Sequence, residues 1–225
     1  MERNHVIVAG QVEARESPLA THKVLRNTYL LLAATLGFSA AVAAVAFAFN
    51  LPYLGPWITL GGYFALLFAV HRTANSSWGL LWVFALTGFL GYSLGPIISM
   101  YVRALPNGHS IVMSAFGITA LAFLGLSAYA IKSGRRFSFL GGFLTVGILT
   151  AFLLGLVSIF FSMPMLSLAV SGMFVLLMSG LILFQTGEIL HGGETNYIHA
   201  TVTLYISLYN MFLSLLQLLG AGSNR

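Results

Sequence analysis

The loop His191-Gly-Gly-Glu-Thr-Asn-Tyr-Ile-His199, with the stretches on either side, holds most of the side chains here that could do chemistry. His191, Glu194 and His199 are metal-ligand types. Their spacing matches no zinc-protease pattern, and the loop would have to hold the third of them in fixed geometry. The plainer expectation is a polar turn between two helices. Asn196 or Thr195 caps the second helix, and Gly192-Gly193 ends the first. Glu188, one turn beyond Gln185, joins His191, Glu194 and His199 as a possible titrating group, since ionisable side chains in membranes usually have work to do. Ser207 has no histidine on its own helix near its depth, so serine hydrolysis is not expected. Lys23 and Lys132 are the only lysines, both at predicted helix ends, which leaves no buried lysine for a retinal Schiff base. No catalytic residue, metal or cofactor is expected.

Behind the loop, the polar side chains of Ala200–Leu219 are Thr203, Ser207, Asn210, Ser214 and Gln217. Their spacings of 4, 3, 4 and 3 put all five on one face of a helix. Hydroxyls and amides need partners that lipid does not offer, so a spanning helix with this seam belongs at the centre of a bundle. Gln185 is placed to meet the Ser207–Asn210 stretch in a neutral, hydrogen-bonded contact.

The elements that position these residues follow from composition. Hydrophobic residues make up 58% of the chain and charged residues 7%, with mean hydropathy +0.92. A soluble domain of this length needs far more surface charge, so the chain is an integral membrane protein. Cysteine and aspartate are absent, and the acids are Glu2, Glu13, Glu16, Glu188 and Glu194. Apolar segments run at Val24–Phe49, Trp57–Val70, Trp78–Val102, Ile111–Ile131, Phe139–Phe161, Leu166–Phe184 and Ala200–Leu219. Most approach the roughly 20 residues that cross a bilayer, and the second is the shortest. The expected architecture is all-α: a flexible tail over 1–23, a seven-helix domain over 24–220 with the last helix central, and a short tail over 221–225. The N-terminal tail lacks the apolar run of a cleavable signal peptide.

The net charge of +5 does not form a nucleic-acid patch, because the basic residues sit at segment ends. With the N-terminus inside, Arg3, Arg15, Lys23, Arg26, Arg72, Lys132, Arg135 and Arg136 fall on the cytoplasmic side, and Arg103 and Arg225 outside. That bias predicts N-in, C-out. Trp57, Trp78, Tyr101, Phe137 and Tyr197 lie near predicted span ends, as an interfacial belt requires. Met163, Met165, Met173 and Met178 read as adaptable packing. Gly88, Gly91 and Gly95 line one face of the third span and allow close helix approach, while Pro96 predicts a kink or break there.

The tracts Thr21-His-Lys-Val-Leu-Arg-Asn-Thr-Tyr29, Thr87-Gly-Phe-Leu-Gly-Tyr-Ser-Leu-Gly-Pro96, Ser138-Phe-Leu-Gly-Gly142, His191–Ile198 and Leu204–Leu216 resemble the Bax inhibitor-1 (transmembrane Bax inhibitor motif) family, in its proteobacterial, YccA-type branch. The resemblance covers nearly the whole chain beyond the tail. It implies a seven-helix bundle whose last helix is enclosed by the other six. It also implies an inner-membrane modulator, both inhibitor and slow substrate, of the AAA protease FtsH with its HflK–HflC partners. Its handle for the protease would be the cytoplasmic tail Met1–Lys23. The wider family implies a pH-sensitive calcium leak assigned to two facing aspartates. The matching positions here are Gln185 and Ser207, and neither side chain ionises near neutral pH. That departure disfavours the alternative of a cation leak.

Overall fold

The computed structural model describes residues Pro18–Ser223; the first 17 residues, which carry most of the expected tail, lie outside them, as do the last two. Among the described residues seven helices follow one another: α1 (Pro18–Ala48), α2 (Pro56–Thr73), α3 (Trp78–Ala104), α4 (Gly108–Ser133), α5 (Leu140–Phe160), α6 (Pro164–Leu190) and α7 (Tyr197–Gly222). Each coincides with one of the expected spans, with Phe49 falling just outside α1 and Phe139 and Phe161 just outside α5. Six are long and apolar enough to cross a membrane. The other is α2, 18 residues long with His71 and Arg72 in its last turn. The chain is a multi-pass membrane protein.

Local chemistry explains where the helices begin and end. Prolines occupy the first turn of α2 and α6, where no helical N–H is lost. Gly134 follows α4 in the left-handed region, at φ 60°. α1 is already helical at Pro18, the first described residue and ahead of the expected edge at Val24, because a helix once nucleated extends readily into a polar flank. Pro96 lies inside α3 without ending it. One missing backbone hydrogen bond costs less in lipid than the several that a break would expose.

The bundle is built around α7. Half of its apolar stretch is buried, against 17% for α5. It packs along α1, α3, α4 and α6, meets α2 at its first turn, and leaves α5 behind α6. Four helices rather than six therefore enclose it along its length. Leu32 of α1, Val83, Leu86 and Leu90 of α3 and Ile182 of α6 meet Leu204, Leu208 and Met211 of α7 in the main core. Ile111 and Ala115 of α4 pack with Phe212 and Leu216 further along. α5 reaches across to α2 through the ring pairs Trp57–Phe160 and Phe64–Phe152.

α1 and α3 approach most closely where α3 carries glycine. A Cβ on Gly91 would stand 2.5 Å from the Ser39 carbonyl oxygen, and one on Gly95 would stand 2.5 Å from the Ala46 Cβ. The small face anticipated on α3 is thus the contact with α1.

Candidate functional site

The α6–α7 turn is a set of reciprocal caps. After α6, Gly192 takes the left-handed conformation, and the N–H groups of Gly193 and Glu194 both donate to the Glu188 carbonyl. Asn196 begins α7: its Oδ1 accepts from the N–H groups of Ile198 at 2.8 Å and His199 at 3.4 Å. Its Nδ2 donates to the Ala74 carbonyl and to Asn75 Oδ1, tying α7 to the α2–α3 turn. Asn196, rather than Thr195, is the cap.

The charged and imidazole side chains of the turn face separate partners. Glu194 accepts from the Asn196 N–H, and Glu188 from the Ser138 hydroxyl at 3.0 Å. His191 sets one ring nitrogen 2.8 Å from the Gly187 carbonyl oxygen and the other 3.1 Å from that of Gly134. His199 stacks on His71 of α2, ring centroids 5.0 Å apart. Among the described residues no three histidines or acids converge as a metal site. An open cleft of about 450 Å³ lies beside the turn, lined by Asn75, Ser76, Ser77, Thr195 and Asn196.

Along α7 the seam is satisfied piecemeal. Ser207, fully buried, donates to the Thr203 carbonyl at 2.8 Å, and Asn210 donates to the Ile206 carbonyl at 2.9 Å. Among the described residues, Gln217 is the one member of the seam that bonds another helix. It donates to Ser167 Oγ at 2.5 Å and accepts from Ser171 at 2.6 Å, both on α6. Ser214 is buried and Thr203 half-buried. Gln217 also borders a second cleft with Tyr53, Tyr101 and Leu213. Burial pushes the Tyr53 phenol, in the α1–α2 turn, above its ordinary range, and a hydrogen bond with Thr59 offsets part of that.

The expected hydrogen bond between Gln185 and the Ser207–Asn210 stretch is not made among the described residues. Ser207 and Asn210 both turn back on their own helix, the option that short polar side chains take when it is near. Gln185 is buried, and its Nε2 has no protein partner there.

A junction that joins three helices lies off the seam. Tyr205 of α7 donates to the Thr87 carbonyl of α3 at 3.3 Å, and the Ser39 hydroxyl of α1 therefore donates to Tyr205, at 2.6 Å. All three residues are buried. A second junction lies nearer the start of α7, where Thr201 shares its one hydroxyl hydrogen between the Tyr197 carbonyl of its own helix at 2.7 Å and the Thr28 carbonyl of α1 at 3.2 Å. Tyr29 there places its hydroxyl 3.4 Å from Thr186 Oγ1 of α6. The available signal was a tyrosine in mid-span, whose hydroxyl must find a partner.

A seven-helix membrane bundle with a polar last helix pinned at its centre, and no converging catalytic set among the described residues, is the class that this geometry defines. The chain belongs to the Bax inhibitor-1 family: the family model described as inhibitor of apoptosis-promoting Bax1 matches residues 21–224. It is 53% identical over 219 residues to an uncharacterized protein of Pseudomonas aeruginosa, covering 97% of this chain and 96% of that one. It is 49% identical over 209 residues to the modulator of FtsH protease YccA of Escherichia coli K12, covering 93% and 94%. A relative from Escherichia coli O6:H1, equally similar, carries the name inner membrane protein YccA. With six apolar spans, this supports a multi-pass protein of the inner membrane.

Proposed function

We propose that this chain modulates the FtsH protease in the bacterial inner membrane, acting as an inhibitor that is itself a slow substrate. The observation that carries the reading is the near-end-to-end similarity to the E. coli modulator of FtsH protease. A regulatory role rather than catalysis also suits a turn whose His191, Glu194 and His199 face three separate partners.

The proposed mechanism has two parts. The segment ahead of α1, within the expected tail Met1–Lys23, is the handle on which the protease begins, with HflK–HflC as companions of the complex. The bundle then resists extraction. Pulling α1 must undo the Thr28 and Ser39 junctions and the glycine-tight face of α3, and exposes backbone and apolar surface together. The protease stays occupied while other substrates survive. The handle is cytoplasmic in the N-in, C-out orientation. This is supported by Lys23, Arg26, Arg72, Lys132, Arg135 and Arg136 gathering at the end of the bundle where α1 begins, with Arg103 at the other.

The test is a pulse-chase of an unstable membrane substrate of FtsH in cells overproducing either the full chain or one lacking residues 1–16, which spares α1. The full chain is expected to lengthen substrate lifetime and the truncation to lose that effect and its own turnover. Unchanged lifetimes with the full chain would remove the reading. A cation leak finds little support, since Gln185 and Ser207 carry no charge. Flux through protein-bearing liposomes would revive it.

A further inference from the structure

Besides His199 Nε2 in the first turn of α7, three buried polar atoms have no hydrogen-bond partner among the described residues: Thr28 Oγ1 on α1, Ser127 Oγ on α4 and Gln185 Nε2 on α6. Their residues are 0%, 4% and 6% exposed. Buried polar groups are nearly always paired, so three such exceptions ask for a cause.

Their surroundings are linked by named contacts. Thr28 gives its carbonyl to Thr201, and the next residue, Tyr29, sets its hydroxyl beside Thr186, which directly follows Gln185. The Tyr29 ring packs 5.8 Å from that of Phe123, one turn before Ser127 on α4. The three residues therefore sit along a chain of contacts that links α1, α4, α6 and α7 at the end of the bundle that holds the α6–α7 turn.

Two of them also decline an easy bond. Elsewhere in this protein, helical hydroxyls turn back to a carbonyl of their own helix, as Thr119 does to Ala115, Ser93 to Phe89 and Thr201 to Tyr197. Thr28 and Ser127 leave that bond unmade and direct their hydroxyls elsewhere.

We propose that these side chains line an internal water site, and that one or more ordered water molecules supply the missing partners. Water fits the chemistry of the set. Gln185 Nε2 can only donate and needs an acceptor, while the hydroxyls of Thr28 and Ser127 can do either. A metal cation would be repelled by the amide N–H and would find no carboxylate in the set. Each water needs two to four polar partners, which three orphaned groups and the nearby Tyr29 and Thr186 hydroxyls provide. The site is independent of any protease partner.

An experimental structure of the full-length protein in lipid, at a resolution that shows ordered water, tests this directly. Water is expected within about 3 Å of Thr28 Oγ1, Ser127 Oγ and Gln185 Nε2. A second measurement works by sign. Thr28→Val and Ser127→Ala remove a hydroxyl with little change in shape. If water bonds that hydroxyl, its loss strands the water and lowers the unfolding midpoint by about 2–4 °C. If the hydroxyl is dry, its loss relieves an unpaired group and the midpoint rises. A map without water beside these atoms, or midpoints that hold or rise, overturns the site.

Discussion

Single residues decide where this bundle is pinned. Tyr205 joins three helices through one hydroxyl. Tyr205→Phe keeps the ring and loses both bonds, and is expected to destabilise the protein by about 0.6–1.7 kcal/mol, the range for hydrogen bonds inside membranes. Chemical unfolding in micelles measures it. Ser39→Ala should cost a similar amount, and the double variant less than the two together, because the residues share a bond. Asn196→Ala should cost more than an ordinary cap, about 1 kcal/mol, because it also cuts the ties to Ala74 and Asn75. The seam was legible because 4-3-4-3 spacing projects onto one face whatever surrounds it. Its partners were not: Ser207 and Asn210 chose their own backbone, and periodicity carries no information about that choice. Nor did spacing point to Ser39 as the partner of Tyr205, 166 residues away in sequence.

Among elements, the α1–α3 pair shows how small residues are used. Gly91→Ala places a methyl group against the Ser39 backbone, where neither helix can yield without moving the other. A loss of about 1–3 kcal/mol is expected, as for overpacking generally. Gly117→Ala on α4 meets nothing within 4 Å, so it should leave stability unchanged or slightly raised. Unfolding midpoints of the two variants, compared side by side, check whether contact or composition is what matters. The glycine stripe could be read from the third span alone, but its partner could not. Glycine spacing says that some backbone comes close, and only the fold names α1. The same limit applies to Pro96: its ring predicted a disturbance, and the low-dielectric surroundings that keep the helix whole are a property of the assembly.

For the whole molecule, composition was decisive about class and nearly so about helix number, since length and hydropathy are local quantities. Orientation is testable at this scale. With the N-terminus inside, an alkaline phosphatase fused after Gly222 should be active and one inserted at Gly134 inactive, and the reverse result would invert the topology. The junctions of α1 carry a further consequence for how the protein is made. Thr28 and Ser39 find their α7 partners 173 and 166 residues later in the chain. A ribosome has delivered six helices to the bilayer before either bond can close. Until the final segment emerges, the Thr28 carbonyl and the Ser39 hydroxyl lack their α7 partners. Translation arrested ahead of α7 would leave a half-built assembly with those partners missing, so every molecule passes through a stage at which it resembles the damaged proteins that membrane surveillance removes.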